Sequence, residues 1–340
     1  VLLMMSFSYS DDTFVAISPP PGIHWLRHHL NKNNYHCDVL DLDFEGDRLN
    51  ESLELTSKGF YQVIGINITH YNMENGLKTI WEFHKAADQS RTPAVFIAGG
   101  QEATMNYEQL LKAGKLDMIL TGFSEKTLLK LCQNISLVSS KRKVGKDKRY
   151  SIEDLSAGLN GIAYFDEEGR KIYRPSLPLT NEEFRELAYT NILDLDLPYF
   201  EYWEKTRKTT VDNMTFSRNV FVVETSRIYT TSHCPRRCGF CSSQTFLPYS
   251  QSKKSKIIML SAVEVHDLIL RDVKKYGAKH FVIGDDDFPV GSKVGLERLS
   301  KICDLIMESK LSGELPDTLT FYMQARIADF ILREKKQRFV

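Results

Sequence analysis

Between residue 1 and about residue 135, short apolar runs alternate with helical patterns five times, and few architectures accept that order. VLLMMSF leads through the turn Pro19-Pro20-Pro21-Gly22 into IHWLRHHLNKN. YHCDVLDLD precedes a polar helical stretch, YQVIGINI precedes MENGLKTIWEFHKAAD, AVFIAGG precedes ATMNYEQLLKAG, and LDMILTG precedes SEKTLLKLCQNI. Strands followed each time by a helix build right-handed βαβ units on a parallel sheet. The expected domain is doubly wound α/β (Rossmann/flavodoxin-like), with its ligand outside the carboxyl ends of the strands.

A second alternation begins near Arg227. RIYTTSH, KHFVIGDDD and TLTFYMQAR read as strands, and SAVEVHDLILRDVKKYG, GLERLSKICDLIMES and IADFILREKKQ as the helices after them. Ser261 is placed to cap the first of these helices and Gly277 to close it. Such repetition suits a barrel of parallel strands, a partial TIM barrel with about three of the eight strand–helix units. Between the two alternations, the basic run SSKRKVGKDKRYS reads as a solvated linker. GIAYFDEEGRKIYRP reads as a β-hairpin turning near Glu168-Gly169, and NILDLDLPYFEYW as an irregular connector packed between domains. The expected organisation is a doubly wound domain over 1–137, a linker with hairpin and connector over 138–225, and a C-terminally incomplete barrel over 226–340. A chain that begins with Val and ends inside a helical pattern is expected to be a fragment of a longer protein.

Composition removes several function classes. Lys+Arg and Asp+Glu both number 44, so the formal net charge is zero and there is no electrostatic footprint for nucleic acid. No apolar run is long enough for a membrane span. VLLMMSFSYS lacks the basic start and small-residue cleavage site of a secretory signal. It reads as a buried first strand.

Three of the six cysteines, Cys37, Cys132 and Cys303, stand alone in apolar strand-like or helical patterns and read as buried small hydrophobes. Cys234, Cys238 and Cys241 are crowded together, spaced by three residues and then two. Secreted disulfide frameworks serve smaller, loop-rich folds, so the crowding points to a metal site in a reducing compartment, the cytoplasm. Thiolates ligate iron–sulfur clusters, and one compact loop can bring three of them to three corners of a cube. A four-iron cube held by three cysteines leaves one iron open, which is a catalytic arrangement. Zinc competes for the same residues, but structural zinc wants four ligands, often as two close pairs. His233 is adjacent to Cys234, which makes tetrahedral closure awkward, and there is no second Cys-x-x-Cys pair. His233 therefore reads as a loop residue.

This spacing, with Phe240 just before the last cysteine and a strand just before the first, resembles the radical S-adenosylmethionine superfamily. The likeness runs in order along nearly the whole chain to the subfamily with an N-terminal cobalamin (B12)-binding-like domain. Its motifs are similar to Pro20-Pro21-Gly22-Ile23, to Gly99-Gly100-Gln101-Glu102-Ala103-Thr104, and to Gly122-Phe123-Ser124-Glu125-Lys126-Thr127-Leu128. They continue through Gly161–Tyr164, Asp194–Pro198, the acidic pair plus Phe at Asp286-Asp287-Phe288, and Arg326. Phe123 departs from the pattern, which has an acidic residue there.

The resemblance implies that Cys234, Cys238 and Cys241 hold a [4Fe-4S] cluster whose open iron chelates the amino and carboxylate groups of S-adenosylmethionine. Reductive cleavage then yields methionine and a 5′-deoxyadenosyl radical, which takes a hydrogen atom from the substrate. It implies further cofactor contacts at Phe240, Asp285, Asp286, Arg326, Gly99, Gly100, Thr104, Gly122 and Glu125. The residue types suit those tasks. Glycines after a strand admit a ligand close to the backbone, and helix N-termini suit phosphate or amide groups of a large cofactor. Carboxylates at a strand end can accept from an α-amino group, and Arg326 can pair with a carboxylate. The competing reading of Asp285–Asp287 is a solvated acidic turn capping the next helix.

The sequence has no Asp-x-His-x-x-Gly loop of the kind that coordinates cobalt from below. His24, His28, His29 and His70 lie near the expected ligand face, and His24 and His28 share a helix face, but they read as exposed or packed helix histidines. Two readings stay open: cobalamin bound without a histidine ligand, or the domain kept without its cofactor. With cobalamin the expected reaction is methylation of an unactivated carbon, methylcobalamin donating its methyl group to a substrate radical. Without it, cyclisation, rearrangement or oxidation fits. An electron-transfer or regulatory iron–sulfur protein would need a fourth protein ligand, and a zinc-stabilised binding module is the remaining class. The expected partners are a small-molecule or peptide substrate and a reductant such as flavodoxin or ferredoxin.

Overall fold

Apolar on both sides, the first five strands can only be satisfied by layers above and below them, and that is how they are found. The structure, a computed structural model, describes residues 1–6, 18–113, 115–141, 150–212, 223–236, 238–243 and 256–330. The chain divides into two compact units, Val1–Ala16 with Pro20–Leu177 and Ile17–Pro19 with Pro178–Val340.

The first unit runs β1 (Leu2–Met5), α1 (Pro21–Lys32), β2 (Asp38–Asp41), α2 (Leu49–Ser57), β3 (Val63–Asn67), α3 (Met73–Ala87), β4 (Val95–Gly99), α4 (Tyr107–Ala113), β5 (Met118–Leu120) and α5 (Glu125–Lys141). Its sheet then gains β6 (Ile162–Phe165) and β7 (Lys171–Arg174), in the order β2-β1-β3-β4-β5-β6-β7. The pairings from β2 to β5 are parallel, and β6 and β7 are antiparallel. The 2-1-3-4-5 order is the flavodoxin-like form of the doubly wound sheet.

Successive strand residues face opposite sides. Leu2, Met4, Ile64, Ile66, Phe96 and Ala98 meet Ile80 and Phe83 of α3 in one core. Leu3, Val39, Val63, Val95, Ile97, Met118 and Leu120 meet Ile23 and Leu30 of α1 and Leu128, Leu131 and Ile135 of α5 in the other. The hairpin read from the sequence is present, and β6 extends the sheet through Leu120↔Ile162 and Ile119↔Ala163.

In the second unit, the stretch expected to be an irregular connector is mostly helical. Asn181–Arg185, Glu186–Thr190 and Asn191–Asp194 lead to α6 (Tyr199–Asp212). Thr180 and Glu183 form a reciprocal capping box that starts the first of these. The aromatic residues explain the rest: Tyr199, Tyr202 and Trp203 are buried, with Tyr199 stacked on Trp203 at 5.2 Å. The Tyr199 hydroxyl accepts the Arg227 N–H at 3.1 Å, which ties α6 to the next strand.

That strand, β8 (Thr225–Ile228), is followed by α7 (Ala262–Tyr276), β9 (His280–Ile283), α8 (Lys293–Leu311) and β10 (Thr320–Met323). The three strands are parallel in the order β8-β9-β10, each next to its predecessor, as the start of a (β/α) barrel requires. Ser261 caps α7 in a box with Glu264, and Gly277 closes it in the left-handed conformation at φ 69°. One cysteine differs from its reading: Cys37 and Cys132 are buried, but Cys303 is exposed. The buried stripe of α8 runs through Ile302, Ile306 and Ser309, and Cys303 is rotated off it. Of IADFILREKKQ, Ile327–Phe330 form a 3₁₀ turn, and the remainder lies outside the described residues, as does 142–149 of the basic run. Among the described residues no helix is long and apolar enough to cross a membrane.

Candidate functional site

β8 ends at Ile228, and the chain turns through Thr230–His233 into the cysteine loop. Backbone bonds seat this turn: Ser232 N–H donates to Ile258 O at 2.9 Å, and Leu260 N–H to Thr230 O at 2.9 Å. His233 is buried beside the Ser232 hydroxyl at 2.9 Å, and burial lowers its pKa, so it is a neutral loop residue. Cys234, Cys238 and Cys241 are all free thiols and partly buried. Cys241 N–H donates to Cys238 O at 3.0 Å, which folds the second half of the loop into a turn. Burial pushes the Cys234 thiol up, while the Arg236 backbone N–H directed at its sulfur acts the other way. The negative charges of Asp286, Asp287 and Cys241 push it up further. Phe240, between the second and third cysteines, is 93% exposed.

Among the described residues, no group of three or more His, Cys, Asp or Glu side chains is gathered as closely as a single ion needs. A four-iron cube takes each cysteine at a different iron, so its thiols stand farther apart than donors around one ion. The donor set itself, three free thiols on one short loop, is the right chemistry for such a cube.

The acidic triplet after β9 divides into three roles. Asp285 is 3% exposed and accepts the backbone N–H groups of Thr230 at 2.8 Å and Thr231 at 3.0 Å, and also the Thr230 hydroxyl. Burial raises its pKa, with Arg298 nearby acting the other way. Arg298 closes the cluster by donating to Leu260 O at 2.6 Å and to the Thr230 hydroxyl. Asp285, expected to receive a ligand's amino group, is instead occupied in holding the end of β8 to the end of β9. Asp286 is exposed and accepts only a hydroxyl, that of Ser243 at 2.6 Å, among its described contacts. It is the member of the triplet open to a ligand. Asp287 is 2% exposed and accepts Arg236 Nε at 2.8 Å. Arg326, just past β10, is exposed, and its backbone N–H donates to Asp329 at 3.2 Å.

In the first unit, the glycine pair ends β4. Gly100 has φ 99°, and a Cβ there would run into the Asn67 side chain and Ile68 O, so only glycine serves. At Gly99 a Cβ would meet only Leu120 O, at 3.7 Å. The Thr104 hydroxyl donates back to Gly100 O at 2.9 Å and is buried, so it braces the turn. Gly122 turns the chain after β5 at φ 69°. Glu125 opens α5, is 6% exposed, and has its pKa raised by burial; its Oε2 has no hydrogen-bond partner. The Ser176 hydroxyl is likewise buried without a hydrogen-bond partner, and the buried Thr121 hydroxyl lies against Tyr173. Gly161 links them, because a Cβ there would lie 3.0 Å from Thr121 O and 3.2 Å from Ser176 Cβ. Unsatisfied buried polar groups at the carboxyl end of a doubly wound sheet fit a cofactor that carries amides. Thr121 and Ser176 carried no signal in the sequence. His24 is 3% exposed, and burial holds it neutral with a pKa of about 3. It is packed in the domain, as are His29 and, in part, His28.

No protein-family model and no curated protein matches the chain. Solved structures do. The chain is similar to the cobalamin-dependent S-adenosylmethionine radical enzyme OxsB with aqua-cobalamin bound, at TM-score 0.65 and 17% identity over 99% of this chain and 40% of that one. It is also similar to the radical S-adenosylmethionine methyltransferase TsrM from Kitasatospora setae. With tryptophan substrate and a SAM analog bound, that enzyme gives TM-score 0.59 and 15% identity over 94% of this chain and 54% of that one. The same enzyme with cobalamin and a [4Fe-4S] cluster gives TM-score 0.58 at 15% identity. The chain has the fold of OxsB and TsrM. It spans 40% to 55% of the length of the matched structures.

Proposed function

We propose that this chain carries the cobalamin-type domain and the cluster-bearing first strands of a radical S-adenosylmethionine enzyme, and that the enzyme methylates an unactivated carbon of a small-molecule or peptide substrate. The observation that carries the reading is the loop of three free thiols at the carboxyl end of β8, the first of three sequential parallel strands. Cys234, Cys238 and Cys241 would hold the [4Fe-4S] cluster. When bound, the cluster supplies the electron that splits S-adenosylmethionine into methionine and a 5′-deoxyadenosyl radical. Asp286, exposed beside the loop, accepts the ammonium of S-adenosylmethionine, and Arg326 pairs with a carboxylate. Phe240, exposed between the second and third thiols, is open to pack against a bound cofactor. In the first unit Glu125, Thr121 and Ser176 hydrogen-bond cobalamin amides, and Gly99 lets the corrin edge approach the end of β4. A flavodoxin or ferredoxin delivers the electron, in the reducing cytoplasm.

The likeness to cobalamin-bound OxsB supports a bound cobalamin, and the likeness to the methyltransferase TsrM supports methylation over cyclisation, rearrangement or oxidation without cobalamin. The test is anaerobic reconstitution, reduction with dithionite and addition of S-adenosylmethionine. The expected product is 5′-deoxyadenosine; its absence from protein with a full cluster would sink the radical reading. Incubation with hydroxocobalamin followed by desalting should leave the protein coloured. A colourless protein removes cobalamin and with it the methylation.

A further inference from the structure

Arg236 lies inside the cysteine loop, two residues after Cys234 and two before Cys238. Its guanidinium reaches three acceptors on two other strand ends. Nε donates to Asp287 at 2.8 Å, and Nη2 donates to Val290 O at 2.9 Å and to Asp329 at 2.5 Å. Asp287 belongs to the turn after β9, and Asp329 to the 3₁₀ turn after β10. Their side chains are only 2% and 4% exposed, and that of Arg236 is 25% exposed. One side chain therefore ties the loop after β8 to the ends of the next two strands.

The backbone around the guanidinium is shaped for it. Val290 has φ 62° and Gly291 φ 55°, two successive residues in the left-handed region. A β-branched residue is rarely held there. In this conformation the Val290 carbonyl meets Nη2. A Cβ on Gly291 would collide with Arg236 Nη2 and the Asp329 carboxylate, so the space is reserved for the fork. Lysine's three N–H donors radiate from a single atom and could not reach acceptors spread around two nitrogens, whereas the planar guanidinium meets them from Nε and Nη2.

We propose that Arg236 is a positioning residue for the cluster: its clamp on Asp287, Val290 and Asp329 fixes the thiol loop between Cys234 and Cys238. This rests on the cluster assignment made above. Groups that orient ligands govern how tightly metal is held, and hydrogen bonding and charge around a cluster set its reduction potential. The clamp also makes the loop depend on β10, although the cysteines lie before β9.

The experiment compares the reconstituted parent chain with Arg236→Gln, Arg236→Lys and Asp329→Asn. Iron and sulfide per chain, retention of iron against a chelator, the midpoint potential and the electron paramagnetic resonance of the reduced cluster are read. Circular dichroism and melting of the iron-free chains monitor the fold. Arg236→Gln should hold iron about 10-fold more weakly or worse, with a shifted potential and resonance and unchanged circular dichroism. Arg236→Lys should recover part of the iron binding, because charge remains but the fork is lost. Asp329→Asn should shift potential and resonance in the same direction even if Arg236→Gln fails to fold. A parent chain with a cluster and variants identical to it in iron retention, potential and resonance overturns the clamp alone. A parent chain that takes up no cluster overturns the cluster assignment and the clamp with it.

Discussion

The two sheets differ in what orders their strands. The seven-stranded sheet is buried in two apolar cores, and its central residues Met4, Leu40, Ile64 and Ala98 are inaccessible to solvent. In the three-stranded sheet, all four residues of β10 are exposed, and order at the carboxyl ends of β8 and β9 comes from polar staples. Asp285 with Thr230, Thr231 and Arg298 is one, and Arg236 with Asp287 and Asp329 is the other. Apolar packing is non-directional and forgiving of shape-preserving change. A buried polar staple is directional, and removing one partner leaves the other unsatisfied. The first sheet is thus a robust platform, and the second places its site by geometry.

The sharpest test of this contrast sets two near-isosteric substitutions side by side. Asp285→Asn removes a buried charge whose oxygens receive two N–H groups and a hydroxyl, and puts an amide donor among donors. It should cost the second unit on the order of 3 kcal/mol, by analogy with other broken buried pairs. Ile64→Val, at the centre of the first sheet, should cost about 1 kcal/mol. Urea unfolding followed by near-ultraviolet circular dichroism reads both. Equal costs, or a larger one at Ile64, would break the contrast.

A smaller effect probes Glu125, an acid buried in the apolar platform with one carboxyl oxygen unsatisfied. Burial raises the pKa of Glu125 in the folded chain above its unfolded value. As pH rises past the unfolded value of about 4, the unfolded chain gives up this proton first. Stability therefore falls until the folded pKa is passed. Glu125→Gln removes the fall, so parent and variant should melt alike near pH 4 and the variant should melt higher at pH 7. A gap that closes with rising pH contradicts the assignment.

What could be read from the sequence was local. Five strand–helix pairs, the Ser261 and Gly277 caps and the cysteine spacing each depend on residues within one or two turns of each other. What could not be read depends on distant partners. Nothing within the hairpin says that Ile162 pairs with Leu120. Asp285 is filled by Thr230, 55 positions earlier, and Arg236 meets Asp329 93 positions later. Two misses did carry a local signal. Thr180 with Glu183 is a capping box that marks a helix start where a connector was expected. On α8, Cys303 follows Ile302 by one position, which turns it about 100° away from the buried stripe.

The most direct test of the central claim is an iron and sulfide count on the anaerobically reconstituted chain, beside the triple variant Cys234→Ser, Cys238→Ser, Cys241→Ser. The parent should hold about four irons and four sulfides, with a reduced-state resonance that changes when S-adenosylmethionine is added. The triple variant should hold none, and its first unit should unfold as before. Iron retained by the triple variant, a single zinc in place of iron, or a resonance indifferent to S-adenosylmethionine would contradict the claim.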